Sequence, residues 1–83
     1  MRYAPDAAPE DVVEDARGLL CPIPVIRLAK RMATVPLGET VLLLADDPVA
    51  EEDVRLWCRG HGQELVRVER DGNLARIRVR RLR

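Results

Sequence analysis

Apolar residues in this chain recur with two periods, one of two residues and one of about 3.6, and their succession predicts the elements in order. Val12 and Val13 open a short strand running to about Ala16, and Gly18 suits a tight turn after it. From Pro22 to about Thr34, Val25, Leu28, Ala29 and Met32 share one helical face, with Arg27, Lys30 and Arg31 on the other. Val35-Pro36-Leu37-Gly38 ends that helix. Thr40 to Ala45 is a continuous apolar run, the pattern of a central strand covered by helices. Asp46-Asp47-Pro48 closes it and starts a second helix, with Asp47 predicted as N-cap and Pro48 as first helical residue. Glu51, Glu52 and Asp53 suit the positive end of its dipole. Ala50, Val54, Trp57, Cys58 and His61 recur at helical spacing, so this face is expected to pack inward until Gly60 and Gly62 stop the helix. Glu64 to Arg70 and Leu74 to Arg80 then flank Asp71-Gly72-Asn73, a hairpin signal. In the last segment Ala75, Ile77 and Val79 alternate with Arg76, Arg78 and Arg80, a half-buried strand with an arginine-lined outer face.

The order is therefore β-α-β-α-β-β, an α/β (α+β) chain. Two helices on one face of a four-stranded mixed sheet would bury one core and leave the other sheet face to water. Residues 1–10, with Pro5, Pro9 and several alanines, read as a flexible leader, and 11–83 as the folded domain.

Composition narrows the chemistry. Eighty-three residues make one small domain, and with no Phe and only Trp57 and Tyr3 as aromatics the core must be aliphatic. Such a domain has no room for a deep pocket around a large cofactor, which favours surface chemistry or work inside a partner's active site. The formal net charge is zero but unevenly placed. Five acids (Asp6, Glu10, Asp11, Glu14, Asp15) face one Arg in the first fifteen residues, while seven Arg stand against Glu69 and Asp71 from Arg67 onward. A basic end can meet an acidic protein face or nucleic acid, but the neutral total argues against a dedicated nucleic-acid binder. Two cysteines are too few for a disulfide scaffold. No apolar stretch is long enough to span a membrane and no signal peptide is visible, so a cytosolic setting with reduced thiols is expected.

The chemistry centres on Leu20-Cys21-Pro22-Ile23-Pro24. Proline is tolerated in a first helical turn because its missing N–H would be unpaired there anyway. Cys21 therefore reads as the N-cap of the first helix, facing the dipole end that stabilises a thiolate. A thiol–disulfide oxidoreductase would need a second cysteine two or three positions on, and Pro24 holds that place. What remains is either a single reactive sulfur suited to group transfer or a small buried thiol that happens to start a helix.

Other positions carry less. Cys58, beside Trp57, reads as a core thiol. His61 could pair with a cysteine, but a lone His ending an inward face more often packs or caps, and one His with two widely spaced Cys is no zinc site. Asp46 and Asp47 are explained by strand termination and capping. Arg27, Lys30 and Arg31 read as a solvated face, close enough to Cys21 to touch a partner that takes or delivers sulfur.

The chain resembles the TusA (SirA-like) family of small sulfur carriers from about Val13 to Arg80. The resemblance rests on Asp15-Ala16-Arg17-Gly18-Leu19-Leu20-Cys21-Pro22-Ile23-Pro24, similar to the family's Cys-Pro-x-Pro signature and lead-in. Leu37-Gly38-Glu39-Thr40, Ala45-Asp46-Asp47-Pro48, Trp57-Cys58 and Glu64-Leu65-Val66 follow in matching order. Trp57 stands where the family commonly has Phe, and the acidic leader lies outside the shared region. The resemblance implies a two-layer α/β sandwich and a persulfide on Cys21, with Gly18, Pro22, Pro24, Asp46 and Asp47 as motif support. It implies a cysteine desulfurase or rhodanese-type donor, a downstream acceptor protein, and no cofactor or metal. The destinations it implies are 2-thiolation of the tRNA wobble uridine, sulfur oxidation or molybdenum-cofactor assembly. The alternatives are an RNA-binding module using the arginine-lined sheet, which lacks exposed aromatics for base stacking, and a regulatory interaction domain with a structural Cys21.

Overall fold

The computed structural model describes residues 12–83; the leader predicted over 1–10 lies outside them. The elements follow the expected order: β1 (Val12–Asp15), α1 (Ile23–Met32), β2 (Thr40–Ala45), α2 (Ala50–His61), β3 (Glu64–Asp71) and β4 (Leu74–Arg80). The sheet order is β1-β2-β4-β3, with β1 parallel to β2 and β4 antiparallel to both of its neighbours. β2 and β3 therefore run the same way, and the final hairpin inserts β4 between them.

Strand alternation explains the two layers. Val41, Leu43 and Ala45 of β2 pair with Val79, Ile77 and Ala75 of β4, and all six are buried on the face that receives the helices. Leu28 and Met32 of α1 and Val54 and Cys58 of α2 close that core. Fully burying a Leu or Ile side chain contributes about 1.5–3 kcal/mol, so these aliphatics hold the layers together without any Phe.

The opposite face is less open than the pattern implies. Leu42 and Leu44 project there with no helix above them, yet both are buried. Val13 and Leu74 pack against them, and Arg78 and Arg76 stand directly opposite in register, half-buried themselves. Long arginine stems can cover apolar surface, and Glu69 holds the Arg78 guanidinium at 3.2 Å. A central strand flanked on both sides can thus be apolar on both faces.

The helix boundaries also differ. α1 begins at Ile23, and its N-cap is Pro22 rather than Cys21, because the Pro22 carbonyl accepts the first helical bond, from the Ile26 N–H. The N-cap of α2 is Val49 rather than Asp47. Pro48 lies in a turn closed by the Ala50 N–H on the Asp47 carbonyl at 3.1 Å, so the chain reaches helical geometry later than Pro48. α2 runs through Gly60 and stops at Gly62, whose φ of +69° is left-handed.

The two glycines should respond oppositely to alanine. A Cβ at Gly62 would lie 2.6 Å from Arg83 Nε in a left-handed backbone, and Gly62→Ala is expected to lose about 1–2 kcal/mol. Gly60→Ala, with open space around it, should gain about 0.5–1 kcal/mol. Urea unfolding of both variants measures the contrast.

Candidate functional site

Because β1 and β2 are parallel, the chain leaves both at the same edge of the sheet, the place where open α/β sheets gather functional groups. Two acids after β2 stitch the departing loops together. Asp46 Oδ1 accepts the Gly18 N–H at 2.9 Å. Gly18 has a φ of +79°, a conformation open to glycine at no steric cost. Asp47 is buried; its Oδ2 accepts the Cys21 N–H and its Oδ1 accepts the Val49 N–H at 3.0 Å. The Val49 and then the Cys21 hydrogen bonds hold the Asp47 carboxyl below the usual carboxylate range, against an opposing contribution from desolvation. Both aspartates are therefore loop anchors as well as strand terminators.

Cys21 stands one residue ahead of the helix cap, half-buried. The helix start offers its sulfur little. Pro22 and Pro24 have no N–H, and the Ile23 N–H donates to the Leu20 carbonyl at 2.9 Å. The sulfur faces α2 instead, where the Cys21 thiol donates to Asp53 Oδ2. The thiol pKa is accordingly raised from 9.0 to about 11, first by the Asp53 hydrogen bond, then by desolvation and the negative charges of Asp53 and Asp47. The expected dipole-stabilised thiolate is thus corrected to a protonated thiol. Two prolines remove amide donors, and two carboxylates oppose a third negative charge.

Asp53 is the site residue that sequence reasoning passes over, seeing in it only a helix-dipole acid. Its signal is an acid on the inward stripe of α2, three residues after buried Ala50 and four before half-buried Trp57.

The basic face of α1 is likewise more than a solvated surface. Arg27 Nε and Arg31 Nε donate to the two carboxylate oxygens of Glu14 at 2.7 and 2.8 Å. Glu14 lies level with Leu43 in register, on the helix-facing side of β1, and is only 4% exposed. A buried carboxylate requires such pairing. Lys30 is exposed beside them. With Ile23 and Ile26 these residues line a groove of about 570 Å³ along α1. Leu20 is 73% exposed, Ile23 41% and Ile26 44%, an apolar surface beside the sulfur.

Cys58 is buried in the core, and that burial raises its pKa to about 11. His61 is exposed and stacks on Trp57 with ring centroids 5.0 Å apart, rather than completing the inward face. His61 is the last residue of α2. Among the described residues no cluster of His, Cys, Asp or Glu could hold a metal ion, and no helix is long and apolar enough to cross a membrane.

A raised pKa leaves the folded-state thiol protonated between pH 9 and about 11, where an ordinary thiol has ionised. Alkylation of Cys21 by iodoacetamide is therefore expected to be slow at pH 7.5 and to climb with a midpoint near 11, with Cys58 reacting later. Peptide-resolved mass spectrometry over that range measures both; a Cys21 midpoint below 9 contradicts the assignment.

Comparison with known proteins returns a consistent set. The family model described as Sulfurtransferase TusA matches residues 13–81. Two proteins of Archaeoglobus fulgidus, each named "Putative sulfur carrier protein", are similar to this chain. One is 38% identical over 72 residues, 87% of this chain and 99% of its own length; the other is 46% identical over 56 residues, 68% and 73%. The crystal structure of the SirA-like protein from Desulfitobacterium hafniense superposes with a TM-score of 0.74 at 27% identity, covering 87% of this chain and 99% of that one.

Proposed function

The chain belongs to the TusA family, and from that premise we propose that it is a sulfur carrier whose Cys21 takes up sulfane sulfur as a persulfide and passes it to a partner protein. The observation that carries this reading is the placement of Cys21. It is a single free sulfur on a loop anchored by Asp46 and Asp47, beside exposed Leu20, Ile23 and Ile26. With Pro24 where a resolving cysteine would stand, an intramotif disulfide is unavailable and transfer between proteins remains.

The donor in this reading is a cysteine desulfurase or a rhodanese-type enzyme, and the acceptor is the next protein of a relay. Thiolation of tRNA, sulfur oxidation and molybdenum-cofactor assembly are the pathways such a relay serves. Partners dock over the groove along α1, with Ile23 and Ile26 supplying apolar area and Lys30 a charge for an acidic rim. Free thiols fit a reducing cytosol. RNA has a weaker claim on the arginine-lined sheet face, because Arg78 and Arg80 are paired with Glu69 and Glu64 at 3.2 and 3.7 Å.

Incubation with a cysteine desulfurase, cysteine and its pyridoxal cofactor should add one reducible sulfur atom to wild type and to Cys58→Ser, and none to Cys21→Ser, by intact-protein mass. If neither this donor nor thiosulfate with a rhodanese charges the wild type, the carrier reading fails. For the docking face, Ile26→Asp should slow charging by the protein donor roughly tenfold, the loss of one well-buried apolar contact, while leaving charging by a small-molecule persulfide unchanged. Equal slowing with both donors would place the defect in Cys21 itself.

A further inference from the structure

Persulfide exchange makes and breaks the same kinds of bond on both sides. A donor R–S–SH meets the Cys21 thiol, the donor's S–S bond breaks, and a bond forms between its outer sulfur and Cys21 Sγ. The Cys21 proton ends on the donor's departing sulfur, giving Cys21–S–SH and R–SH. Sγ is formally oxidised and the donor's inner sulfur reduced by the same amount, so no outside oxidant enters. With the covalent terms nearly cancelling, noncovalent contacts made by only one form of Cys21 decide where the exchange rests.

Such a contact is present. The thiol of Cys21 donates its proton to Asp53 Oδ2. In the persulfide, Sγ is bonded to carbon and to the outer sulfur and has no proton to donate. We propose, resting on the carrier reading above, that Asp53 is a positioning residue which stabilises the uncharged form of Cys21 and so biases the carrier toward giving up its sulfur.

Charge acts in the same direction. The titratable groups facing Cys21 are Asp53 on α2 and Asp47 on the loop before it, both acidic. A persulfide's outer sulfur ionises more readily than a thiol and then meets two carboxylates, with no first-turn N–H from Pro22 or Pro24 to offset them. When an acceptor thiolate attacks the outer sulfur, Sγ leaves, regains a proton from solvent and closes the bond to Asp53 again. Asp47 differs in role, because its hydrogen bond is to the Cys21 backbone and survives charging. The raised thiol pKa of about 11 is the same preference seen through proton loss instead of sulfur gain.

The test is equilibration with glutathione persulfide and glutathione at a fixed ratio, pH 7.5, for wild type, Asp53→Asn, Asp53→Glu and Cys21→Ser, all in a Cys58→Ser background. Intact-protein mass reads the ratio of persulfide to thiol. Replacing a charged hydrogen-bond partner by a neutral one is expected to raise that ratio about tenfold in Asp53→Asn, with Asp53→Glu nearer to wild type. The iodoacetamide pH profile of the same proteins should move downward from 11 in Asp53→Asn, a change that a merely structural Asp53 would not produce. Thermal unfolding establishes that each variant is folded, and Asp53→Ala replaces Asp53→Asn if that variant is not. An unchanged or lowered persulfide ratio in the folded neutral variant overturns the role of Asp53 while leaving the carrier intact. No Cys21-dependent sulfur on wild type removes the carrier reading itself, and this proposal with it.

Discussion

The carboxylate of Asp47 is the contact on which the site depends. It accepts backbone N–H groups from the loop before α1 and from the turn before α2, so one buried side chain sets the spacing between both helix entries. Asp46 does the same for Gly18 one step earlier. These anchors work because β1 and β2 are parallel neighbours, which brings the ends of both loops to one edge. A backbone donor held by a carboxylate is among the stronger hydrogen bonds available to a small domain. Here such bonds stand where a larger protein would use buried apolar area.

With the loop held, the state of the sulfur follows from what surrounds it. A cysteine near a helix start is usually associated with easy ionisation. That effect needs N–H groups aimed at the sulfur, and the two prolines and the Ile23–Leu20 bond withhold them. Asp53 then supplies an acceptor, which only the protonated thiol can use. The resulting group is quiet toward small electrophiles while remaining beside an exposed apolar surface where a protein partner can settle. An uncharged carrier benefits from that combination, since a thiol that reacts only in a docked complex is spared adventitious alkylation while it awaits a donor.

The basic face of α1 follows the same economy. Arg27 and Arg31 each give Nε to buried Glu14, which fastens the edge strand to the helix, and both remain nearly half exposed. Removing both arginines would leave the Glu14 carboxylate buried without a partner, so the basic face of α1 is what allows an acid at that position.

Much of this protein is legible in the order of its residues. The continuous run from Thr40 to Ala45, the alternation of Ala75, Ile77 and Val79 with arginines, and the spacing of Leu28 and Met32 dictate the elements and their layers, because periodicity is a local property of the chain. The motif around Cys21 points to the candidate site for the same reason. Chain order could not reveal the bond between Cys21 and Asp53, 32 residues apart, nor that between Glu14 and the arginines of α1. Those are contacts across the layers, set by strand register and helix placement. The protonation state of the thiol belongs to that second group. Local sequence indicated a helix dipole, and only the tertiary structure determined that a carboxylate from another helix would reach the sulfur first.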